Sequence, residues 1–143
     1  KLAATNTVDV LCHHLVSALS GWCLEDVFLN ACTCMELIKW IGRRSTGNLG
    51  LHLNDALAAA GSAAGIGSPP ADFSRMRNDI IHDGHLSASR FTKKTRQECA
   101  DLATETLAWI DRYIGAITGV SAHVVVRFNA GALNGMNSFS VFP

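Results

Sequence analysis

The residues best suited to chemistry lie in one short run, Arg75-Met-Arg-Asn-Asp-Ile-Ile-His-Asp-Gly-His85. Arg77 offers a planar fork of donors that fits phosphate oxygens, and it stays charged at any physiological pH. His82 carries an imidazole, the side chain that most readily exchanges protons near neutrality. Asn78 supplies an amide that can both donate and accept hydrogen bonds. Asn78 and His82, at i and i+4 of a helix, can be presented together to a ligand or to a second subunit.

These groups need a helix to position them. With Phe73 as origin, helical periodicity puts Ile80 near 340°, Gly84 near about 20° and Arg77 near about 40°, bordering the apolar face. Asn78 and His82 fall near about 140° and 180°, sharing the polar side. A guanidinium beside an apolar face must meet a carboxylate, a phosphate or carbonyls. Glu36 is the candidate partner, since it sits between Cys32 and Trp40 on a largely apolar flank with Phe28 and Leu29. Either Glu36 holds Arg77 in place, or it simply emerges at the surface of the bundle.

The rest of the chain reads as helices. Leu11, Cys12, Leu15, Val16 and Leu19 form an amphipathic stripe from Val8 to a stop at Gly21. Residues 22–42 are apolar around most of the circumference and predict a central helix. Gly42 to Gly47 is a polar, basic connection, and a third helix is expected from about Asn48 to Ala60. Gly61 to Pro70, with three glycines and two prolines, is a loop. Asp72 caps the helix that carries Phe73, Met76 and Ile80, and Gly84 ends it. Ser87 or Ser89 then caps a long helix with the stripe Cys99, Leu102, Ala103, Thr106, Ile110, Tyr113, Ile114 and Ile117, ending at Gly119. The expectation is an all-α bundle of four to five helices over residues 1–119. Residues 120–143 form a C-terminal tail with one charge, Arg127, and the β-branched run Val124 to Val126. That tail is a short extended segment, a docked or swapped end, or partly disordered.

The run Arg77-Asn-Asp-Ile-Ile-His82 resembles the R-x(4 to 6)-H signature of HEPN domains, in which the residue after the arginine is often polar. HEPN domains are helical bundles of this size, with the motif in a late helix that precedes a long one. The stretch Phe28 to Leu37, an apolar helix with Glu36 embedded, is similar to the corresponding helix of some members. Residues 8–118 are covered by the likeness. It implies a metal-independent endoribonuclease of toxin or phage-defence type, with Arg77, His82 and Asn78 catalytic and Glu36 supporting. It also implies a homodimer in which two copies of the motif face each other, and control by an antitoxin or a sensor domain. RNA brings its own nucleophile, the 2′-hydroxyl, so no metal is required and none is expected. The rival from another class is a non-catalytic HEPN-like module that dimerises and binds RNA or a protein partner.

Electrostatics are consistent with a polyanionic partner only locally, because twelve Lys plus Arg balance twelve Asp plus Glu. Between Arg75 and Arg96 there are six basic residues, Arg75, Arg77, Arg90, Lys93, Lys94 and Arg96, against two aspartates. Arg75, Lys93 and Lys94, with Arg43 and Arg44, are the expected RNA contacts. The competing explanation is that Lys93, Lys94 and Arg96 are the solvated first turns of the long helix. Trp22, Trp40 and Trp109 sit among apolar residues and are expected in the core, which leaves few stacking platforms.

Composition closes off other classes. Hydrophobic residues make up 48% of the 143 and charged residues 17%, which excludes intrinsic disorder. Five cysteines in apolar stretches read as buried reduced thiols rather than a disulfide framework, and those of Cys32-Thr-Cys34 point about 200° apart on a helix. His82-Asp83-Gly84-His85 places imidazole and carboxylate side by side, but Gly84 breaks the spacing that would converge them on a metal. No cofactor is expected. There is no P-loop, Rossmann glycine pattern or G-x-S-x-G elbow. No apolar run has the bulk to span lipid, so the chain reads as cytoplasmic, and its start at Lys1 leaves a fragment or a processed chain as the two expectations. The uncharged stripe of the last helix and the apolar tail exceed what a small bundle needs, which favours a dimer.

Overall fold

A computed structural model describes residues 2–46, 52–86 and 91–119, without the side chains of residues 2–6 and 44–46. Among the described residues every regular element is helical: α1 (Leu2–Leu19), α2 (Leu24–Thr46), α3 (Leu53–Ala63), α4 (Phe73–Asp83) and α5 (Arg96–Thr118). The all-α bundle is thus observed, with five helices. The tail, residues 120–143, lies outside the described residues.

The pair α1–α2 forms an antiparallel hairpin. Cys34 Sγ donates to the Leu11 carbonyl at 3.7 Å, and His14 Nδ1 meets Asn30 Oδ1 at 3.2 Å. The sums of these residue numbers nearly agree, as antiparallel packing requires. The turn is tight because of Gly21, whose missing Cβ would sit 2.9 Å from Val27 Cγ2. On α1 the buried stripe is Leu11, Leu15 and Ala18, while Val16, expected inside, is exposed.

Helix α2 is the central element, packing against each of the other four helices. It buries Leu24, Val27, Phe28, Ala31, Cys32, Cys34, Met35 and Ile38. It also runs through Gly42 and Arg43 to Thr46, where a connection was expected. The physical reason is close packing: a Cβ at Gly42 would lie 3.3 Å from the Ala60 Cβ of α3, so the glycine lets the two helices approach. Within this last stretch Arg43 lies over the Trp40 ring, 5.6 Å from its centroid.

Helix α3 continues past the expected Ala60 to Ala63, and Gly61 is buried within it. A Cβ there would fall 2.0 Å from the Gly67 carbonyl oxygen and 3.0 Å from Trp109 Cζ2. Trp109 itself is fully buried, donates from Nε1 to that same carbonyl at 3.0 Å and stacks on Tyr113. The expected core position of Trp109 is met.

Trp22 and Trp40 correct the expectation. Trp22 is 91% exposed in the α1–α2 turn, where Gly21 rather than the indole fills the inside. Trp40 is 55% exposed with Arg43 over its ring, because Leu37, Ile38 and Ile41 face the core from the neighbouring positions of α2.

Helix α4 starts and stops as expected, with Phe73, Met76 and Ile80 buried and Gly84 left-handed at φ 74°. Its first residue packs its ring against Phe28 of α2, centroids 5.6 Å apart and planes tilted by 56°. Asp72 precedes it without capping it through the side chain. The Asp72 carboxylate instead takes Lys94 at 2.9 Å and, more loosely, Arg75 at 3.7 Å.

Helix α5 begins at Arg96, well after the expected start near Ser87 or Ser89, which lie outside the described residues. Two features delay it. Asp79 claims the amides of Phe91 and Thr92, and Lys93 adopts a left-handed φ of 54° that no helix tolerates. Thr95 then makes a capping box: its Oγ1 accepts from the Glu98 N–H while the Glu98 carboxylate accepts from the Thr95 N–H at 2.7 Å. Lys93 and Lys94 therefore precede the helix instead of forming its first turns. The α5 stripe from Cys99 to Tyr113 is consumed inside this one chain, leaving Ile117 as its exposed member. That removes the helix from the grounds for expecting a dimer.

Candidate functional site

The expected pair forms. Arg77 Nη2 lies 3.2 Å from Glu36 Oε1, joining α4 to α2. Glu36 remains about a third exposed and also receives Lys39 at 3.4 Å, so it both reaches the surface and holds Arg77. Arg77 is 30% exposed, and Glu36 engages one of its nitrogens. The guanidinium has five N–H donors, so most of the fork stays available toward the rim.

Five residues further along α4, about 7.5 Å in rise and 140° around the axis, His82 stands exposed. Its ring meets Phe91 at 5.8 Å between centroids, tilted by 48°. Among the described residues no hydrogen bond occupies its nitrogens. Asn78 is half-buried on the His82 side of the helix, as the i, i+4 relation requires. The separation around the axis means that Arg77 and His82 of one helix diverge.

Between them sits a residue that sequence reasoning missed. Asp79 is fully buried, and its carboxylate accepts from the Phe91 N–H at 2.8 Å, the Thr92 N–H at 3.1 Å and the Thr92 Oγ1 hydroxyl at 2.6 Å. A buried carboxylate is costly unless its lone pairs are taken, and here three donors take them. The signal was present, because Asp79 lies only about 60° from Met76 on the helical wheel, as near the apolar stripe as Arg77. Phe91, a lone aromatic in a polar run, was missed too. At 38% exposure it is pinned by its own backbone amide beside His82.

The basic segment looks different once folded. Arg75 and Lys94 meet Asp72, Arg77 meets Glu36, and Arg96 makes a two-pronged pair with Glu25 at 3.0 and 3.4 Å. The carboxylates come from outside the segment, so a local count of charges overstated its field. Lys93 is exposed. Arg43 lies over Trp40 at the far end of α2, and the side chains of Arg44 and Arg90 lie outside the described residues.

These pairs shift their members. The Lys94 ammonium holds the Asp72 carboxyl below its ordinary value. Burial pushes Glu25 up, but hydrogen bonds and charge from Arg96 outweigh it and leave that carboxyl lowered.

All five cysteines are free thiols, and Cys32, Cys34 and Cys99 are buried. Burial pushes the Cys32 and Cys34 thiols up to about 12 and Cys99 to about 11, so they remain protonated. Among the described residues no group of three or more His, Cys, Asp or Glu side chains is arranged to hold a metal ion. Among those residues no helix is long and apolar enough to cross a membrane.

No family model matches the chain, nor does any curated protein or solved structure.

Proposed function

We propose that this chain is a metal-independent endoribonuclease of HEPN type that cuts RNA as a homodimer. The observation that carries it is the division of labour on α4: Arg77 is anchored by Glu36 with donors to spare, and His82 stands open to solvent. Because the two groups diverge on one helix, a second copy related by a two-fold axis would complete the constellation.

The chemistry then balances without a metal. One His82 takes the proton of the 2′-hydroxyl, and the 2′-oxygen forms a bond to phosphorus. The bond from phosphorus to the 5′-oxygen breaks, and His82 of the second copy protonates the leaving oxygen. The products are a 2′,3′-cyclic phosphate and a 5′-hydroxyl. Arg77 donates to the non-bridging oxygens as charge builds, and Asn78 orients His82 or adds a donor. Control by an antitoxin or sensor domain in the cytoplasm suits such an enzyme, since unchecked RNA cleavage is harmful.

The test compares wild type with His82→Ala and Arg77→Ala on single-stranded RNA in EDTA. Each substitution is expected to lower cleavage by at least about 100-fold. Equal residual cleavage in all three proteins would identify a contaminant and end the enzyme proposal.

A second possibility, a HEPN-like module that dimerises and binds a partner without cutting, is favoured by one observation: Arg77 is already engaged by Glu36. Retained RNA binding with no cleavage by wild type would select it.

A further inference from the structure

Helix α2 packs against four other helices yet keeps one ridge toward solvent. Asp26, Leu29, Thr33 and Trp40 are exposed along it, with Glu36 and Arg43 half-buried in the same line. Their spacing alternates three and four residues, the repeat of a coiled-coil seam, and the line is about 26 Å long. Leu29 is 44% exposed, so both Leu29 and Trp40 set large apolar surface in water on a helix that is otherwise well covered. Glu36 marks the α4 flank of the ridge through Arg77, and Asn30 marks the α1 flank through His14. Val10, one turn before His14 on α1 and also 44% exposed, widens the apolar strip on that side.

The ridge is complementary to itself. Its steps of three, four, three, four and three read the same from either end, so a second α2 laid across it antiparallel meets ridge residue with ridge residue. Leu29 falls opposite Trp40, Asp26 opposite Arg43, and the small Thr33 opposite Glu36 near the centre. Apolar meets apolar and anion meets cation, and symmetry makes each contact twice. Thr33 already gives its hydroxyl to the Leu29 carbonyl at 3.2 Å, so close approach at the centre strands no new donor. A parallel pairing would instead set Asp26 against its own copy and Arg43 against its own. An acidic first turn and a basic last turn also suit the dipole of α2 itself, but the dipole does not account for Leu29 and Trp40 in water at matching places.

We infer that the Asp26–Arg43 ridge of α2 is the surface on which a second copy of this chain docks, antiparallel and about a two-fold axis. That axis stands perpendicular to the paired helices, so both copies of α4 lie on the same side of the pair and the two Arg77–Glu36 bridges share one face. The pairing requires only the ridge; its consequence for catalysis rests on the nuclease proposed above.

The experiment measures the mass of the full chain by light scattering over a wide range of concentrations, with cleavage of single-stranded RNA in EDTA followed in parallel and helical content checked by circular dichroism. Wild type is expected at twice the 15.3 kDa of one chain. Leu29→Lys, a change at an exposed position, gives monomers. Asp26→Arg and Arg43→Asp each weaken the dimer at least about 10-fold, because like charges then face each other. Mixed in equal amounts, these two variants recover a dimer with one copy of each, since cation again meets anion at both ends.

A wild type that stays monomeric overturns the pairing, whether the ridge is then bare or covered by residues 120–143. A dimer untouched by Leu29→Lys has its interface elsewhere and overturns it too. Charge variants that weaken the dimer without recovering on mixing overturn the antiparallel register, and with it the proposal. A wild type that pairs through α2 and cuts nothing supports the pairing and removes the nuclease, whereas cleavage that depends on His82 in a monomeric wild type removes the pairing and leaves the cleavage chemistry standing.

Discussion

The connections on either side of α4 are secured by different forces. Residues 64–71 are pinned by neutral contacts: Gly67 accepts from the Trp109 indole, Ile66 donates to the Gly61 carbonyl, and Gly61 has no side chain where Gly67 approaches. Residues 91–95 are pinned by charge: Asp79 gathers Phe91 and Thr92, Lys94 reaches Asp72, and Glu98 caps through Thr95. The first arrangement depends on shape, which neither pH nor salt changes. The second is directional and charge-assisted, and it orients a backbone to within hydrogen-bond tolerance. The charged connection is the one that lies against His82. The difference shows where the fold invests polar burial, and that is the edge of α4 presenting the candidate site.

Five substitutions, two of them followed through a pH titration, test this comparison. The largest loss is expected for Asp79→Ala, about 3 kcal/mol by urea denaturation, because two amides and a hydroxyl lose a charged acceptor. A loss under about 1 kcal/mol would mean that the charged connection is not anchored at Asp79. Gly61→Ala should cost about 2 kcal/mol, since its Cβ must displace backbone, and should alter Trp109 fluorescence. An unchanged emission spectrum would count against the neutral pin. Thr95→Ala removes the helix cap and should cost about 1 kcal/mol.

Glu36→Gln should lower stability by less than about 1 kcal/mol, because its ion pairs are partly exposed. It should nonetheless reduce RNA cleavage about 10-fold by loosening Arg77. Unaltered cleavage would show that Glu36 has no part in placing the guanidinium. The smallest effect is on acid sensitivity. Glu25 and Asp72 have lowered folded values, so their stabilisation is complete above the ordinary carboxylate range and disappears as pH falls through the lowered ones. Arg96→Ala should therefore narrow its deficit relative to wild type between about pH 6 and pH 3, whereas the Gly61→Ala deficit should stay constant. Parallel behaviour of the two variants would erase the distinction between charged and neutral pins.

Much of the framework was legible in advance because it is written in local periodicity. The stripe of α4, its end at Gly84 and the end of α5 at Gly119 follow from spacing and from glycine's access to left-handed backbone. The Arg77–Glu36 pair was also within reach, since each charge sat against an apolar flank and needed a partner.

What escaped was long-range. The start of α5 depends on Asp79 capturing amides 12 and 13 residues away, a competition invisible to a search for the nearest serine. The basic run lost much of its field to Glu25, Glu36 and Asp72, which lie outside it in the chain. Trp22 and Trp40 stand exposed, because which of the many apolar side chains of this region are covered is decided by the helices that pack on α2. Helix identity and the order of apolar faces follow from residue-to-residue geometry within a turn or two, which the chain specifies locally. Which carboxylate neutralises which cation, and which aromatic stands beside His82, depend on how distant segments pack, because electrostatic and steric partners are selected only when those segments meet.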